Sequence, residues 1–268
     1  SLYLLNASLT APGFPGNWTI NRNTIWLEGF RGRLNGIRAK GYNMPEINGL
    51  LINPISARMI PAFVPHGLLY IASFAIKRGY KIVVYDRNVE KDSLEQILEK
   101  FRPRVVGMGC LTGTAIDDAV DVSKQIRNFD ASIKIVWGGI HTTLYPDSVL
   151  KNDFVDFVVI GDGEEAFSGL LDYSITKKKH LGEVDNIGYK DNGQMKYTKR
   201  SFIDLNELLQ PAWHLIKVEK YIRRKFYANR VITINTSRGC PYKCSFCCVP
   251  KVHLGSWRGF SAEKIIEN

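Results

Sequence analysis

Gly49-Leu50-Leu51-Ile52-Asn53-Pro54 is a short, unbroken apolar run that stops at an Asn-Pro turn, and its reading decides the fold of the chain. Five apolar or small residues closed by a breaker are what a strand covered on both faces requires. Working outward, the same unit recurs. Pro65 to Lys77 reads as a helix with proline in its first turn, and Tyr80 to Tyr85 as a second strand. Asp92 and Glu95 have the spacing of a capping box ahead of Leu94, Ile97, Leu98 and Phe101 on one helical face. Arg104 to Gly109 is a third strand. Thr114 and Asp117 are placed to cap a helix whose Ile116, Ala119, Val120 and Ile126 form the apolar stripe. Ile133 to Trp137 and Phe154 to Ile160 complete five strands, with another helix beginning near Glu164.

This alternation predicts an α/β fold: an open, parallel, five-stranded Rossmann-like (flavodoxin-like) sheet with helices on both faces. In such sheets a ligand sits beyond the carboxyl ends of the strands, where strand order reverses. The loops there are polar or glycine-rich: Asn53 to Ser56, Gly109 to Thr114, Gly138-Gly139-Ile140-His141 and Gly161-Asp162-Gly163-Glu164. Four such loops on one edge make a floor that a large flat ligand can approach closely, because glycine carries no side chain to hold it off.

The flanking regions read differently. Residues 1–45 show turn signals at Pro12-Gly13 and Pro15-Gly16 without a sustained period, and no role is assigned to them. Asn17-Trp18-Thr19 matches a glycosylation acceptor, read here as a chance match. In 176–230, Asn186 to Tyr189 and Gln194 to Tyr197 flank Asp191-Asn192-Gly193, a hairpin signal, and a basic helical stretch is expected around Val218 to Phe226. This region reads as a connector. Val231 to Asn235 then reads as a strand, and Ser261 as the cap of a helix.

Bulk properties narrow the classes. Of the 268 residues, 45% are hydrophobic and 23% charged, ordinary values for a globular chain. No stretch reaches the roughly 18 apolar residues of a membrane helix. The first residue is Ser1, which points to a trimmed chain or fragment, and a cytoplasmic protein is the simplest expectation. The formal charge of +10 is scattered, and no aromatic-interleaved basic stripe accompanies it, so nucleic acid is not the expected partner.

Four of the five cysteines lie within Cys240–Cys248, which favours metal ligation over disulfides. Cys240, Cys244 and Cys247 place three thiolates at i, i+4 and i+7 of one loop, enough for three corners of a [4Fe–4S] cube with the fourth iron left open. Zinc would want a fourth ligand, for which Cys248 or His253 could be proposed; an electron-transfer ferredoxin usually supplies four cysteines in other spacing. Inert thiols are the remaining reading. Cys110 and Cys248 read as buried small apolar residues or spectators.

The segment Thr236-Ser237-Arg238-Gly239-Cys240-Pro241, with Cys244, Phe246 and Cys247 behind it, resembles the signature of the radical S-adenosylmethionine (SAM) superfamily. The resemblance implies a cluster on Cys240, Cys244 and Cys247 and packing of Phe246 near the SAM adenine. It also implies that residues 231–268 are the first β-α unit of a truncated α/β barrel. It further implies reductive SAM cleavage to a 5′-deoxyadenosyl radical, an external one-electron reductant such as flavodoxin or ferredoxin, and a small-molecule substrate. With Leu50 to Pro54, Gly67 to Ala72, Gly138 to His141, Gly161 to Glu165 and Gln210-Pro211-Ala212-Trp213, residues from about 49 onward resemble the cobalamin-dependent radical SAM family. The resemblance divides the chain into 1–45, a cobalamin-binding domain over 46–175, the connector 176–230 and the radical SAM start at 231–268. Its cobalamin contacts would be Asn53, Ser56, Thr112, Gly138, Gly139, His141, Gly161, Gly163 and Glu164.

Many cobalamin domains carry Asp-x-His-x-x-Gly after the first strand; Asn53-Pro54-Ile55-Ser56 stands there instead, so no histidine is supplied to cobalt from that loop. His66, at a helix start, reads as structural. Such a domain could equally serve as a scaffold without ligand, and no Gly-x-Gly-x-x-Gly or Gly-Lys-Ser/Thr loop supports a nucleotide. With only Cys110 upstream of the loop, a second cluster of the methylthio-transferring kind is not expected. The resemblance implies methyl transfer to an unactivated carbon, or phosphorus, of a small metabolite. The alternatives are ring formation of the anaerobic magnesium-protoporphyrin ester cyclase type and a non-catalytic cobalamin carrier or sensor. The truncated chain alone is expected to be inactive, and its catalytic residues are not legible.

Overall fold

The computed structural model describes residues 47–56 and 62–268, together with the backbone of Thr19–Asn21 and Thr24–Trp26. Ser1–Asn43 form one compact unit and Met44–Asn268 another. The first contains the antiparallel pair β1 (Thr19–Asn21) and β2 (Thr24–Trp26). The turn signals before Thr19 and the residues Asn17 and Trp18 lie outside the described residues.

In the second unit, β3 (Gly49–Asn53), β4 (Ile82–Asp86), β5 (Val105–Gly109), β6 (Lys134–Gly138) and β7 (Phe157–Val159) form the five expected parallel strands in the order β4-β3-β5-β6-β7. Order reverses between β3 and β5, which is the flavodoxin-like switch point. Helix α1 (His66–Lys77) and α6 (Glu164–Leu171) cover one face. Helices α2 (Leu94–Phe101), α3 (Thr114–Phe129) and α5 (Pro146–Leu150) cover the other, and the short α4 (Ile140–Leu144) precedes α5. Alternate residues of a strand feed opposite cores: Leu50 and Ile52 join α2 and α3, while Leu51 joins α1 and α6. At Gly107 a Cβ would stand 2.8 Å from both Leu51 Cδ2 and Phe167 Cε2, so glycine leaves the space that the Phe167 ring of α6 fills.

Several expectations are corrected. The sheet has seven strands, not five: β8 (Ile187–Asp191) pairs antiparallel with β7, and β9 (Gln194–Tyr197) with β8. The hairpin that reads as a connector therefore extends the sheet. Its turn puts Asn192 and Gly193 at φ 49° and 80°, and the exposed edge of β7 gives β8 a partner, which sequence pattern alone does not reveal. The capping box of α2 is made by Ser93 and Gln96, one residue later than expected, because Ser93 takes the extended N-cap conformation. Helix α3 starts at Thr114 without a side-chain cap; the Thr114 hydroxyl donates instead to the Ser56 carbonyl at 2.9 Å.

Val218 to Phe226 is not a helix. A single 3₁₀ turn (Val218–Tyr221) leads into β10 (Arg223–Lys225), paired antiparallel with β11 (Ala228–Val231). Tyr221 is buried there while Phe226 is fully exposed, an arrangement no single helical stripe provides. Residues 232–236 form no strand, since no described strand runs beside them and a lone strand leaves its backbone unpaired. The pair framing the cysteine loop is β12 (Ser237–Gly239) with β13 (Trp257–Gly259). Beyond it α7 (Val249–Val252) and α8 (Ala262–Glu267) follow, the latter capped by Ser261 as expected. No helix of the described residues is long and apolar enough to cross a membrane.

Candidate functional site

A cavity of about 840 Å³ opens at the carboxyl edge of the sheet, over the switch point. The loop after β3 is fixed from two sides. Ile55 N–H donates to Asp118 Oδ2 of α3 at 2.8 Å, while Asp118 receives two bonds of 2.8 Å from the Arg87 guanidinium. Ser56 N–H donates to Asn88 Oδ1 at 3.1 Å, and the Asn88 amide donates to the Pro54 carbonyl at 3.0 Å. The Asp118 pair is the commoner bidentate kind, and it raises the Arg87 pKa against its partial burial.

The loops after β5 and β6 touch through backbone. Cys110 N–H donates to the Gly138 carbonyl at 2.8 Å and His141 N–H to the Cys110 carbonyl at 3.2 Å. Gly139, at φ 93°, makes this possible: a Cβ there would stand 2.7 Å from the Cys110 oxygen. Cys110 itself is buried, as expected, and burial pushes its thiol up to about 12.

Of the cobalamin contacts expected from sequence, Asn53, Ser56, Thr112, Gly138, Gly139, Gly161, Gly163 and Glu164 line this cavity. His141 is not part of its lining; its Nδ1 lies 3.4 Å from Thr112 Oγ1 and its ring beside Tyr145. His66 does line the cavity. It is buried edge-on against Trp213, with Nε2 3.3 Å from Thr233 Oγ1, and burial lowers its pKa. Trp213 belongs to the Gln210–Trp213 segment, which is anchored where Ala212 N–H donates to the Leu69 carbonyl at 3.1 Å.

The cysteine loop lies at the same edge. Arg238 of β12, two positions before Cys240, donates to Glu164 Oε1 at 2.6 Å and to Asp162 Oδ1 at 3.3 Å. Arg258 of β13 donates to Asp162 Oδ2 at 2.6 Å and to the Ile203 carbonyl at 2.9 Å. Burial pushes the Asp162 carboxyl up, but Arg258 and Arg238 outweigh it and hold it below the usual carboxylate range. Burial likewise disfavours the charge on Arg238, and Glu164 and Asp162 reverse that effect. Sequence reading missed Arg238 and Arg258 as site residues. The signal available was Arg238 inside the lead-in to the cysteines and the acids of Gly161–Glu164; nothing in the sequence says that they meet.

All five cysteines are free thiols. Cys240 and Cys247 are half-buried and Cys244 is exposed, as is Cys248, which corrects its expected burial. Phe246 is 91% exposed. Among the described residues no three His, Cys, Asp or Glu side chains already converge on one point, so a cluster would have to gather the loop around itself. The donor set suits it: three soft thiols in one short loop, none consumed by a disulfide. The cavity suits a corrin, with a floor in which Gly138, Gly139, Gly161 and Gly163 leave the backbone open to close approach.

A flavodoxin-like sheet with such a cavity, and a triple-cysteine loop whose flanking residues Arg238 and Val252 line it, is an α/β module suited to carrying cofactors. Residues 61–171 match the B12 binding domain model. The chain is 32% identical over 209 residues to a protein of Pyrococcus horikoshii described as an uncharacterized methyltransferase, a match covering 76% of this chain and 44% of that protein. It is 26% identical to an anaerobic magnesium-protoporphyrin IX monomethyl ester cyclase of Rubrivivax gelatinosus, over 68% of this chain and 34% of the cyclase. Its fold is similar to that of the radical SAM methyltransferase TsrM of Kitasatospora setae, solved with cobalamin and a [4Fe–4S] cluster bound. That match has a TM-score of 0.63 and 19% identity, over 83% of this chain and 45% of TsrM. The chain spans under half the length of each of these proteins. The resemblance to the cobalamin-dependent radical SAM family holds.

Proposed function

We propose that this chain is the cobalamin-binding and cluster-loop portion of a radical SAM enzyme that transfers a methyl group to an unactivated carbon of a small molecule. The observation that carries this reading is the placement of the cysteine loop on the rim of the cavity, through the Arg238 pair with Glu164. Two cofactor stations on one edge are what a methyl-transfer chemistry shared between cobalamin and SAM needs. The Pyrococcus horikoshii relative and TsrM, both methyltransferases by description, support the direction of the reading.

Within it, Cys240, Cys244 and Cys247 hold the cluster, and Phe246 offers its exposed ring to the adenine of SAM. Asn53, Ser56 and Thr112 present polar groups to the corrin rim, and Gly138, Gly139, Gly161 and Gly163 let the backbone approach it. When bound, the cofactors supply one-electron cleavage of SAM and a transferable methyl group; the protein supplies ligation, orientation and exclusion of water. An external one-electron donor, flavodoxin or ferredoxin, and a small-molecule substrate complete the proposal.

Anaerobic reconstitution with iron, sulfide and hydroxocobalamin, followed by desalting and metal analysis, tests it. About four irons and one cobalt per chain are expected. Iron without cobalt would reduce the sheet domain to a scaffold; cobalt without iron would leave a carrier. With the whole enzyme, SAM consumption without methyl transfer would favour the cyclase chemistry.

A further inference from the structure

The cysteine loop, residues 240–256, is closed by a two-stranded ribbon, β12 with β13, each strand three residues long. So short a ribbon is marginal on its own. Its register sets Arg238 directly opposite Arg258, and side chains opposed in this way lie on the same face. Two like charges in that place push the strands apart. Both side chains are also largely buried, 13% and 18% exposed, so water and salt screen them little. Between them lies the Asp162 carboxylate, 6% exposed, from the loop that follows β7. Its Oδ1 accepts from Arg238 and from Arg258, each at 3.3 Å, and its Oδ2 accepts from Arg258 at 2.6 Å. Among the described residues Glu164 pairs with Arg238 but not with Arg258, and Asp162 is the one acid that meets both.

We propose that Asp162 is a positioning residue for the cluster site. It is the shared counter-ion that lets β12 and β13 close, and so gathers Cys240, Cys244 and Cys247 for a cluster. Asp162 reaches this place from the cavity edge of the sheet, where it stands between Gly161 and Gly163. The sheet domain thus completes the stem of a loop whose first arginine comes 76 positions later. Asp162 acts through the two arginines and not on the cluster itself. Loss of its charge leaves the opposed guanidinium groups without their common partner. Removal of Arg258 as well takes away the repulsion that the acid offsets. The inference rests on the cluster reading above.

Two measurements on the whole chain test it. In the cluster-free chain, hydrogen exchange read by mass spectrometry compares peptides covering the ribbon with peptides covering β5. Asp162→Asn should speed exchange in the ribbon roughly tenfold or more beyond any change in β5, because a buried charge that loses its partner is strongly destabilising. After anaerobic reconstitution with iron and sulfide, iron should pass to excess chelator several-fold faster from Asp162→Asn than from the unchanged chain. The double variant Asp162→Asn with Arg258→Gln should recover part of both effects, since one of the opposed charges is gone. Ser123→Ala, between β6 and α3, is the control for general destabilisation. It should speed exchange in β5 at least as much as in the ribbon and leave iron release unaltered.

Equal acceleration of β5 and the ribbon in Asp162→Asn would reduce Asp162 to a general stabiliser and overturn the proposal. So would an unaltered ribbon in a folded Asp162→Asn chain, or a double variant worse than the single one. If Asp162→Asn does not fold by circular dichroism, the double variant decides: recovery of the fold supports the counter-ion role, and a second failure overturns it. Uptake of no iron by the unchanged chain would overturn the cluster reading, and this assignment with it. Iron uptake with unaltered release from Asp162→Asn would keep that reading and overturn only the role of Asp162.

Discussion

The Tyr221 hydroxyl donates to the Asp86 carboxylate at 2.8 Å, in a place where both side chains are buried. This bond ties the segment leading to the cysteine loop to the carboxyl end of β4. The opposite oxygen of Asp86 accepts from Asn88 N–H at 2.9 Å, and Asn88 in turn holds the loop of Asn53 and Ser56 at the cavity. Tyr221→Phe should lower the unfolding free energy by about 1.5–3 kcal/mol, the range for a hydrogen bond to a charged group. Urea denaturation checks it, with a shifted midpoint and an unchanged slope.

The Trp137 indole N–H donates to Ser123 Oγ at 3.0 Å between β6 and α3. Both residues are buried. Ser123→Ala leaves that donor without an acceptor and is expected to cost about 1–3 kcal/mol. Ser168→Ala makes a fitting control, because Ser168 Oγ is buried with no hydrogen-bond partner among the described residues and its removal should cost less.

At Gly139 the backbone takes φ 93° and ψ −171°, a region essentially reserved for glycine. Gly139→Ala should destabilise the chain by at least roughly 1–3 kcal/mol from backbone strain, before the contact with the Cys110 oxygen is counted. A thermal melt that matched the unchanged chain would contradict the close approach of the two loops.

Asp162 gives a pH dependence whose sign follows from its lowered pKa. Its pKa in the unfolded chain is about 3.9, and the folded value lies below that. The stabilisation is therefore present above about pH 4 and is lost as pH falls through the folded value. Thermal melts from neutral to acid pH should show Asp162→Asn less stable at neutrality, with the gap to the unchanged chain closing in acid. A gap that stayed constant would mean that Asp162 is not ionised in the folded protein.

After anaerobic reconstitution, single Ala substitutions at Cys240, Cys244 and Cys247 should each abolish the brown cluster absorbance. Cys248→Ala and Cys110→Ala should leave it in place. Loss of the cluster in Cys248→Ala would point to a different ligand set, such as zinc-like ligation that includes the adjacent thiol.

The parallel sheet was legible because each strand is a short apolar run and each following helix carries its own stripe; these are local signals. The glycine-rich loops were legible for the same reason, and all but one of the residues drawn from them line the cavity. The β8–β9 hairpin showed its turn, Asn192-Gly193, but not its place in the sheet, because pairing to β7 is a contact between segments. The stretch 218–226 misread as helix because charge-rich sequence satisfies helix propensity, whereas burial of Tyr221 against Asp86 decides its conformation.

By itself, the sequence determined three thiols within one short loop, four polar or glycine-rich loops after the strands, and the strands that carry them. Only the tertiary structure decided that Arg238 reaches Glu164, 74 positions away, and so where the cysteine loop sits against the cavity. Spacing along a chain fixes which groups share a loop. Which loops meet depends on contacts between distant segments, here the two arginines on Asp162 and Glu164, and those exist only once the chain has folded.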